Sequence, residues 1–195
     1  VSPDGKELIC AANGDLFALS SRGGTSRRLT SHPGQDVQPT YDPKGRGVVY
    51  ASERSGHWGL YRLEMEQDAD PWFFMATSVR EEPLLVDSRE HTQPQYAPDG
   101  KRIAYVEDRR SIWVMDRSGG NRMQILGPRD LYAMSDGAQT FAWSPDGRWL
   151  VVECSPNMGN TDLLLISTDG RGTRWHLART GFQDASPRWV DGGRQ

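Results

Sequence analysis

The chain has 195 residues, which is enough for one domain of ordinary size with a hydrophobic core. Its 23 Lys and Arg against 26 Asp and Glu give a net charge of −3, which is not the basic surface that nucleic-acid binding requires. No apolar run approaches the roughly 18 residues of a membrane span. The composition therefore predicts no nucleic-acid partner and no membrane insertion.

A turn sequence recurs four times, as Ser2-Pro3-Asp4-Gly5, Asp42-Pro43-Lys44-Gly45, Ala97-Pro98-Asp99-Gly100 and Ser144-Pro145-Asp146-Gly147. Pro presets φ at the second position of a type I turn, and Gly tolerates the left-handed position that follows. Each copy is predicted to join two antiparallel strands through a three-residue hairpin loop closed by a glycine bulge. Lys44 departs from the Asp of the other copies, but Gly45 preserves the turn.

The strand after each turn is predicted to be buried on both faces, because three consecutive positions are apolar. These are Leu8–Cys10, Val48–Tyr50, Ile103–Tyr105 and Leu150–Val152. The strand before the second, third and fourth turns carries an aromatic residue, at Tyr41, Tyr96 and Trp143. Trp189 likewise precedes a degenerate fifth copy of the turn, Val190-Asp191-Gly192-Gly193-Arg194. Two more strand-like segments come after this second strand, so each repeat is predicted to form four antiparallel strands.

The predicted fold class is all-β, a β-propeller with about four repeats of four-stranded antiparallel blades. A single domain over 1–195 is expected to contain an incomplete blade 1 (1–31), blade 2 (36–89), blade 3 (91–130), blade 4 (137–180) and the first strand of blade 5 (184–191). Since the sequence opens inside one repeat and stops inside another, we expect a piece of a longer propeller. Its unpaired edge strand is expected to promote ring closure, swapping or self-association.

Motifs of known chemistry are missing from the sequence. It contains no G-x-S-x-G, H-E-x-x-H or C-x-x-C, and we expect no catalytic residue, cofactor or metal in this chain. The four histidines lie in different repeats without ligand spacing and are expected to be surface residues: His32, His57, His91 and His176.

Two smaller groups of residues also receive structural predictions. Cys10 and Cys154 lie in apolar strand patterns and are expected to be buried free thiols. Asn157, Asn160 and Asp162 lack the residue order of a calcium loop and are expected to form a turn.

The second repeat is longer than the others, and the extra residues lie between its third and fourth predicted strands. The extra length is Glu66–Phe74 and contains three adjacent aromatic residues, Trp72, Phe73 and Phe74. Insertions on one face of a repeat array often bind partners, so these residues are a candidate dock for a peptide or protein partner. The alternative is that they fold back and cover the outer edge of blade 2.

The repeat resembles the TolB-type propeller repeat, on the residues Trp143-Ser144-Pro145-Asp146-Gly147-Arg148, Ile112-Trp113-Val114-Met115-Asp116 and Arg27-Arg28-Leu29-Thr30. A narrower resemblance is to the amino-terminal propeller of tricorn-type serine peptidases of the bacterial envelope. It rests on Gly24–Thr30, Val49–Trp58, Glu81–Leu85, Tyr132–Gly137 and Trp143–Trp149.

The tricorn resemblance implies a non-catalytic propeller that filters or guides peptides, while a later peptidase core carries the serine nucleophile. We therefore expect a scaffold or substrate gate in a periplasmic or cell-envelope peptidase, with the remainder of its own polypeptide as a partner. Two alternatives stay open. One is a TolB-like protein–protein interaction module, and the other is the propeller of a prolyl-oligopeptidase-like enzyme.

Overall fold

The computed structural model describes residues 1–129, 131, 140–157, 160–178, 184 and 186–190. The side chains of 155–157, 160 and 178 are not described. The described chain is nearly all β, with one short 3-10 helix at Phe73–Met75. The Tyr132–Gly137 part of the tricorn resemblance lies outside the described residues.

The first two sheets are antiparallel, and consecutive strands are neighbours in each. The first has three strands: β1 (Glu7–Ala12), β2 (Asp15–Ser20) and β3 (Arg27–Arg28). The second has four: β4 (Asp36–Tyr41), β5 (Gly47–Ser52), β6 (Gly59–Met65) and β7 (Val79–Leu85).

The other two sheets have four strands each, again antiparallel and in chain order. The third consists of β8 (His91–Tyr96), β9 (Arg102–Glu107), β10 (Ser111–Asp116) and β11 (Met123–Leu126). The fourth consists of β12 (Phe141–Trp143), β13 (Trp149–Asn157), β14 (Asn160–Ser167) and β15 (Arg174–Ala178). The predicted all-β class with antiparallel four-stranded repeats is confirmed.

By its internal contacts the chain forms two compact units, Val1–Tyr96 and Ala97–Gln195. The core of the first joins the first two sheets and contains Leu16, Ala18, Val48, Tyr50, Tyr61, Leu63 and Phe73. The core of the second contains Ala104, Val106, Ile112, Val114, Leu150, Val152, Leu164 and Ile166. The predicted blade limits and the single domain over 1–195 stay predictions.

The repeated turn has the predicted backbone conformation, but its hairpin loop is one residue longer than predicted in the first copy. The four turn glycines have φ between 68° and 71°: Gly5, Gly45, Gly100 and Gly147. In the first copy the backbone pair that closes the loop is Ser2–Glu7, with Ser2 N donating to Glu7 O at 2.8 Å. Four residues therefore lie in the loop rather than three. The extra residue is accommodated because the Glu7 N–H donates to Ser2 Oγ instead of to backbone, at 2.9 Å.

The predicted burial of the strand after each turn is confirmed in the second, third and fourth sheets and wrong in the first. β5 is buried at every residue, whereas Cys10, Ala11 and Ala12 of β1 are exposed. The prediction that Cys10 is a buried thiol is therefore wrong, because β1 is the edge strand of its sheet. Cys154 is buried as expected.

The predicted first strand of blade 5 over 184–191 stays a prediction, because part of this range lies outside the described residues. Residues 184 and 186–190 lie outside any strand. Ser186 has a φ of 57°, close to the φ of 56° and 53° that Gln38 and Gln93 have before Pro39 and Pro94 in β4 and β8. The segment lies along the fourth sheet through Trp189, whose Nε1 donates to Ala142 O at 3.4 Å.

Candidate functional site

The inserted segment, defined here as residues 66–78 between β6 and β7, is held by polar contacts at both ends. The Glu66 N–H donates to Ser78 O at 3.3 Å, and the Asp70 carboxylate accepts from Thr77 N at 2.6 Å and from Thr77 Oγ1 at 3.0 Å. Arg46, from the turn before β5, donates to Asp70 O at 2.6 Å. These contacts fix the segment against its own sheet.

Phe73 anchors the segment in the hydrophobic core. Its side chain is fully buried, and its ring meets the Tyr41 ring edge-on, with centroids 6.1 Å apart and an interplanar angle of 63°. Burying a Phe side chain contributes about 1.5–3 kcal/mol of transfer free energy. Phe73 is therefore a structural residue and presents no surface to a partner.

Trp72 and Phe74 lie half-buried beside this anchor. Their rings stack, with centroids 5.6 Å apart and an interplanar angle of 8°. Met75 follows with 57% of its side chain exposed. The apolar surface that the inserted segment offers is thus the outer part of the Trp72–Phe74 stack together with Met75, which the sequence prediction did not include.

Glu7, the first residue of β1, ties the inserted segment to the first sheet. The carboxylate of this fully buried residue accepts from Tyr41 OH and from the Phe74 N–H, both at 2.6 Å. Burial and the neighbouring Glu7 carboxylate raise the pKa of Tyr41 above its ordinary value, so its hydroxyl remains a donor. The inserted segment thus packs against the second sheet, as the alternative prediction expected, and it also contacts β1 of the first sheet. The dock itself stays a prediction.

Trp72 makes a second bridge to the first sheet. Its Nε1–H donates to Asp4 Oδ2 at 3.0 Å, and Lys6 Nζ lies 5.6 Å from the centroid of its ring. The bond from Trp72 and a bond from Ser2 Oγ lower the pKa of Asp4 from 3.8 to about 2. The Asp4 carboxylate thus accepts hydrogen bonds both within the repeated turn and from the inserted segment.

Trp72→Phe is expected to raise the pKa of Asp4 from about 2 towards 3.8, because the indole donor favours the ionised carboxylate. The rise is expected to be incomplete, since Ser2 Oγ still donates to Asp4 Oδ1. A carboxyl-detected NMR titration measures it. Asp146 is the matched control: its pKa is also about 2, but its donors are Ser144 and Arg148. An Asp4 pKa that is the same in both proteins contradicts the indole bond.

The four histidines, for which no catalytic or metal-binding role was predicted, are dispersed along the chain. His32 and His57 are half-buried and His176 is exposed. His91 is fully buried, which corrects the expectation of a surface residue: it opens β8, and its Nε2 lies 2.8 Å from Asp87 Oδ1. Among the described residues, no three His, Cys, Asp or Glu side chains are grouped closely enough to hold a metal ion.

The remaining sequence predictions concern Asn157, Asn160 and the membrane. Asn157 ends β13 and pairs with Asn160 at the start of β14, but the residues between them lie outside the described part. Asp162 is buried in β14. No helix in the described ranges has the length and apolar character needed to cross a membrane.

Comparison with known proteins finds sequence relatives of two kinds, TolB proteins and a peptidase. No protein-family profile matches the chain. The Tol-Pal system protein TolB of Bordetella pertussis is 28% identical over 146 residues, which cover 57% of this chain and 33% of TolB. An uncharacterized peptidase of Bacillus subtilis, YuxL, is 29% identical over 167 residues, which cover 83% of this chain and 22% of the peptidase.

A solved structure agrees with these relatives. The crystal structure of TolB from Acinetobacter baumannii superposes with a TM-score of 0.66 at 24% identity, covering 87% of this chain and 40% of that one. The chain thus spans about a third of the length of the TolB relative and less than half of the solved TolB chain. The chain has a β-propeller fold and is similar in sequence to TolB and to an uncharacterized peptidase.

Proposed function

We propose that this chain is the non-catalytic propeller segment of a tricorn-like serine peptidase of the cell envelope, where it acts as a scaffold or as a gate for peptide substrates. The observation that carries the proposal is the likeness to the peptidase YuxL, which extends over 83% of this chain but only 22% of that protein. A propeller that forms a minor part of a peptidase is suited to admit or position substrate, while the chemistry resides in the remainder of the polypeptide.

The inserted segment is the surface best suited to contact a peptide in this proposal. Trp72 and Phe74 present a stacked aromatic surface, and Lys6 lies over the Trp72 ring. Aromatic side chains supply contact area at a low cost in conformational entropy. Because Phe73 and Glu7 hold the segment rigidly, binding there would require little ordering of the protein.

A second candidate function is a TolB-like protein–protein interaction module, which the TolB relative and the solved TolB structure favour. The propeller of a prolyl-oligopeptidase-like enzyme is a third reading, to which the YuxL likeness lends equal support. The open reading frame that contains this chain separates the three. A PDZ-like segment and a serine-peptidase core support the tricorn-like parent, and G-x-S-x-G supports the oligopeptidase.

The purified 195-residue chain is expected to bind an unfolded, fluorescently labelled casein peptide without hydrolysing it. Anisotropy measures binding, and mass spectrometry after prolonged incubation measures cleavage. The Trp72→Ala, Phe74→Ala double variant is expected to weaken binding about tenfold or more, as interface aromatic residues commonly do. Binding is measured well below the melting temperature of the variant, which is expected to fall because Trp72 no longer donates to Asp4 and Phe74 no longer packs against the core. Cleavage by the chain alone contradicts the assignment of chemistry to the remainder, and a fall in melting temperature without a loss of binding eliminates the aromatic dock.

A further inference from the structure

The inserted segment combines an acidic run with an apolar surface. Residues 66–78 carry three carboxylates and no Lys, Arg or His, and the carboxylates belong to Glu66, Asp68 and Asp70. The Trp72–Phe74 stack follows this run, and Met75 is 57% exposed beside it. A ligand that contacts the apolar surface of the segment therefore also meets negative charge.

Asp68 is the most accessible carboxylate of the segment. Its side chain is fully exposed, and Arg46 Nη2 lies 3.6 Å from its Oδ1. The Arg46 guanidinium is held mainly by main-chain carbonyls, since it donates to Asp70 O at 2.6 Å and to Gln67 O at 2.8 Å. The Asp68 carboxylate is therefore accessible to a further cation from solvent.

The side chains that contact the segment leave its negative charge in excess. Two more carboxylates accept hydrogen bonds from it, those of Asp4 and Glu7. Three cations contact it, those of Lys6, Arg27 and Arg46. Five carboxylates thus lie in or beside the segment together with three cations. A local excess of one sign of charge attracts ligands of the opposite sign.

Lys6 shows how a cation is accommodated at this surface. Its Nζ lies 5.6 Å from the centroid of the Trp72 ring, and the indole N–H of the same ring donates to Asp4 Oδ2 at 3.0 Å. Because the pKa of Asp4 is about 2, this carboxylate is ionised at neutral pH. An indole face beside an ionised carboxylate favours a cation by cation–π attraction and by charge.

We propose that the inserted segment selects peptides in which an apolar residue neighbours a Lys or Arg. This inference rests on the proposed role of the segment as a peptide dock and adds the chemical class of its ligand. The apolar residue packs against Trp72, Phe74 and Met75. The basic residue lies towards Asp68, or it replaces Lys6 over the Trp72 ring. An acidic peptide is disfavoured, because its carboxylates meet the carboxylates of the segment.

Anisotropy titrations of the 195-residue chain test this preference with three labelled peptides that share one apolar core and carry Lys, Gln or Glu beside it. The Lys peptide is expected to bind about two- to fivefold more tightly than the Gln peptide, as an exposed ion pair allows, and the Glu peptide more weakly than both. Added NaCl is expected to reduce these differences by screening. Asp68→Asn is expected to weaken the Lys peptide alone.

Lys6→Ala is expected to change the two charged peptides in opposite directions. The Lys peptide should bind about two- to fivefold more tightly, because the Trp72 ring becomes available to its cation, and the Glu peptide should bind more weakly. Lys101→Ala is the matched control. The Lys101 N–H donates to Asp99 Oδ1 as the Lys6 N–H donates to Asp4 Oδ1, but Lys101 belongs to the other compact unit. This control is expected to change neither affinity.

The outcomes distinguish this inference from the peptide dock on which it rests. Equal affinities for the three peptides, or tightest binding of the Glu peptide, overturn the preference for cations and leave the dock in place. Binding of none of the peptides overturns both. A preference for the Lys peptide that persists in the Trp72→Ala, Phe74→Ala double variant assigns recognition to another surface and overturns the inference, as do equal effects of Lys6→Ala and Lys101→Ala.

Discussion

Phe73→Ala is expected to lower the free energy of unfolding by about 3–5 kcal/mol, the usual cost of truncating a buried Phe. The ring is fully buried and belongs to the core that joins the first two sheets. Its removal leaves a cavity beside Tyr41, whose ring loses an edge-on partner. Urea unfolding followed by far-UV circular dichroism gives the change, provided that the m-value is unchanged.

Met75→Ala supplies the control for this experiment, because Met75 lies two residues along the same short helix and is exposed. Its effect is expected to stay within about 0.5 kcal/mol. Phe73→Leu, which keeps much of the apolar volume, is expected to cost less than the alanine variant. A loss below about 1 kcal/mol for Phe73→Ala would mean that the inserted segment does not pack into the core.

The regular parts of the fold follow from local sequence. Pro and Gly at fixed positions set the backbone of the repeated turn, and the φ of Gly5, Gly45, Gly100 and Gly147 agrees among the four copies. Three successive apolar residues after each turn predict a strand buried on both faces, which is correct for Val48–Tyr50, Ile103–Tyr105 and Leu150–Val152. Both signals depend on residues only a few positions apart, so they can be read without knowing the tertiary structure.

The failures arise where the environment of a strand comes from distant residues. Leu8–Cys10 has the same apolar pattern as β5, but no strand covers β1 in the described part of the chain, and Cys10 is exposed. Gln38 and Gln93 have positive φ directly before Pro39 and Pro94. Nothing in the composition of those strands indicates this conformation, which Gln adopts rarely.

The candidate site was located from sequence, but its internal arrangement was not. Extra length and three adjacent aromatic residues indicate the inserted segment, yet they cannot show that Phe73 is buried while Met75 is exposed. Glu7 was missed because its partners, Tyr41 OH and Phe74 N, are far away in sequence. The one available signal is a charged residue at the start of a predicted buried strand, which requires a polar partner.

Arg54→Ala is expected to destabilise the protein by about 3–5 kcal/mol, because it leaves a buried carboxylate without its cation. Asp36 is fully buried, and Arg54 Nη2 lies 3.4 Å from its Oδ1. The same guanidinium donates to Tyr50 OH at 2.8 Å and to Ser52 Oγ at 2.9 Å, and pairs with Glu81. Its Cζ lies 4.2 Å from the centroid of the Tyr61 ring. Chemical denaturation measures the loss.

Arg80→Ala is the control for burial. Arg80 also forms an ion pair, with Glu64 at 2.7 Å, but the Arg80 side chain is 57% exposed, whereas that of Arg54 is 16% exposed. An exposed pair contributes about 0–1 kcal/mol, so this control should change stability little. A double-mutant cycle with Asp36→Asn then tests the cause. If the uncompensated carboxylate is the main penalty, Arg54→Ala costs clearly less in the Asp36→Asn background than in the native protein. Additive losses would instead assign the stabilisation to the other contacts of Arg54, with Tyr50, Ser52, Tyr61 and Glu81. The ion pair with the buried Asp36 carboxylate would then not be the reason that this arginine is needed.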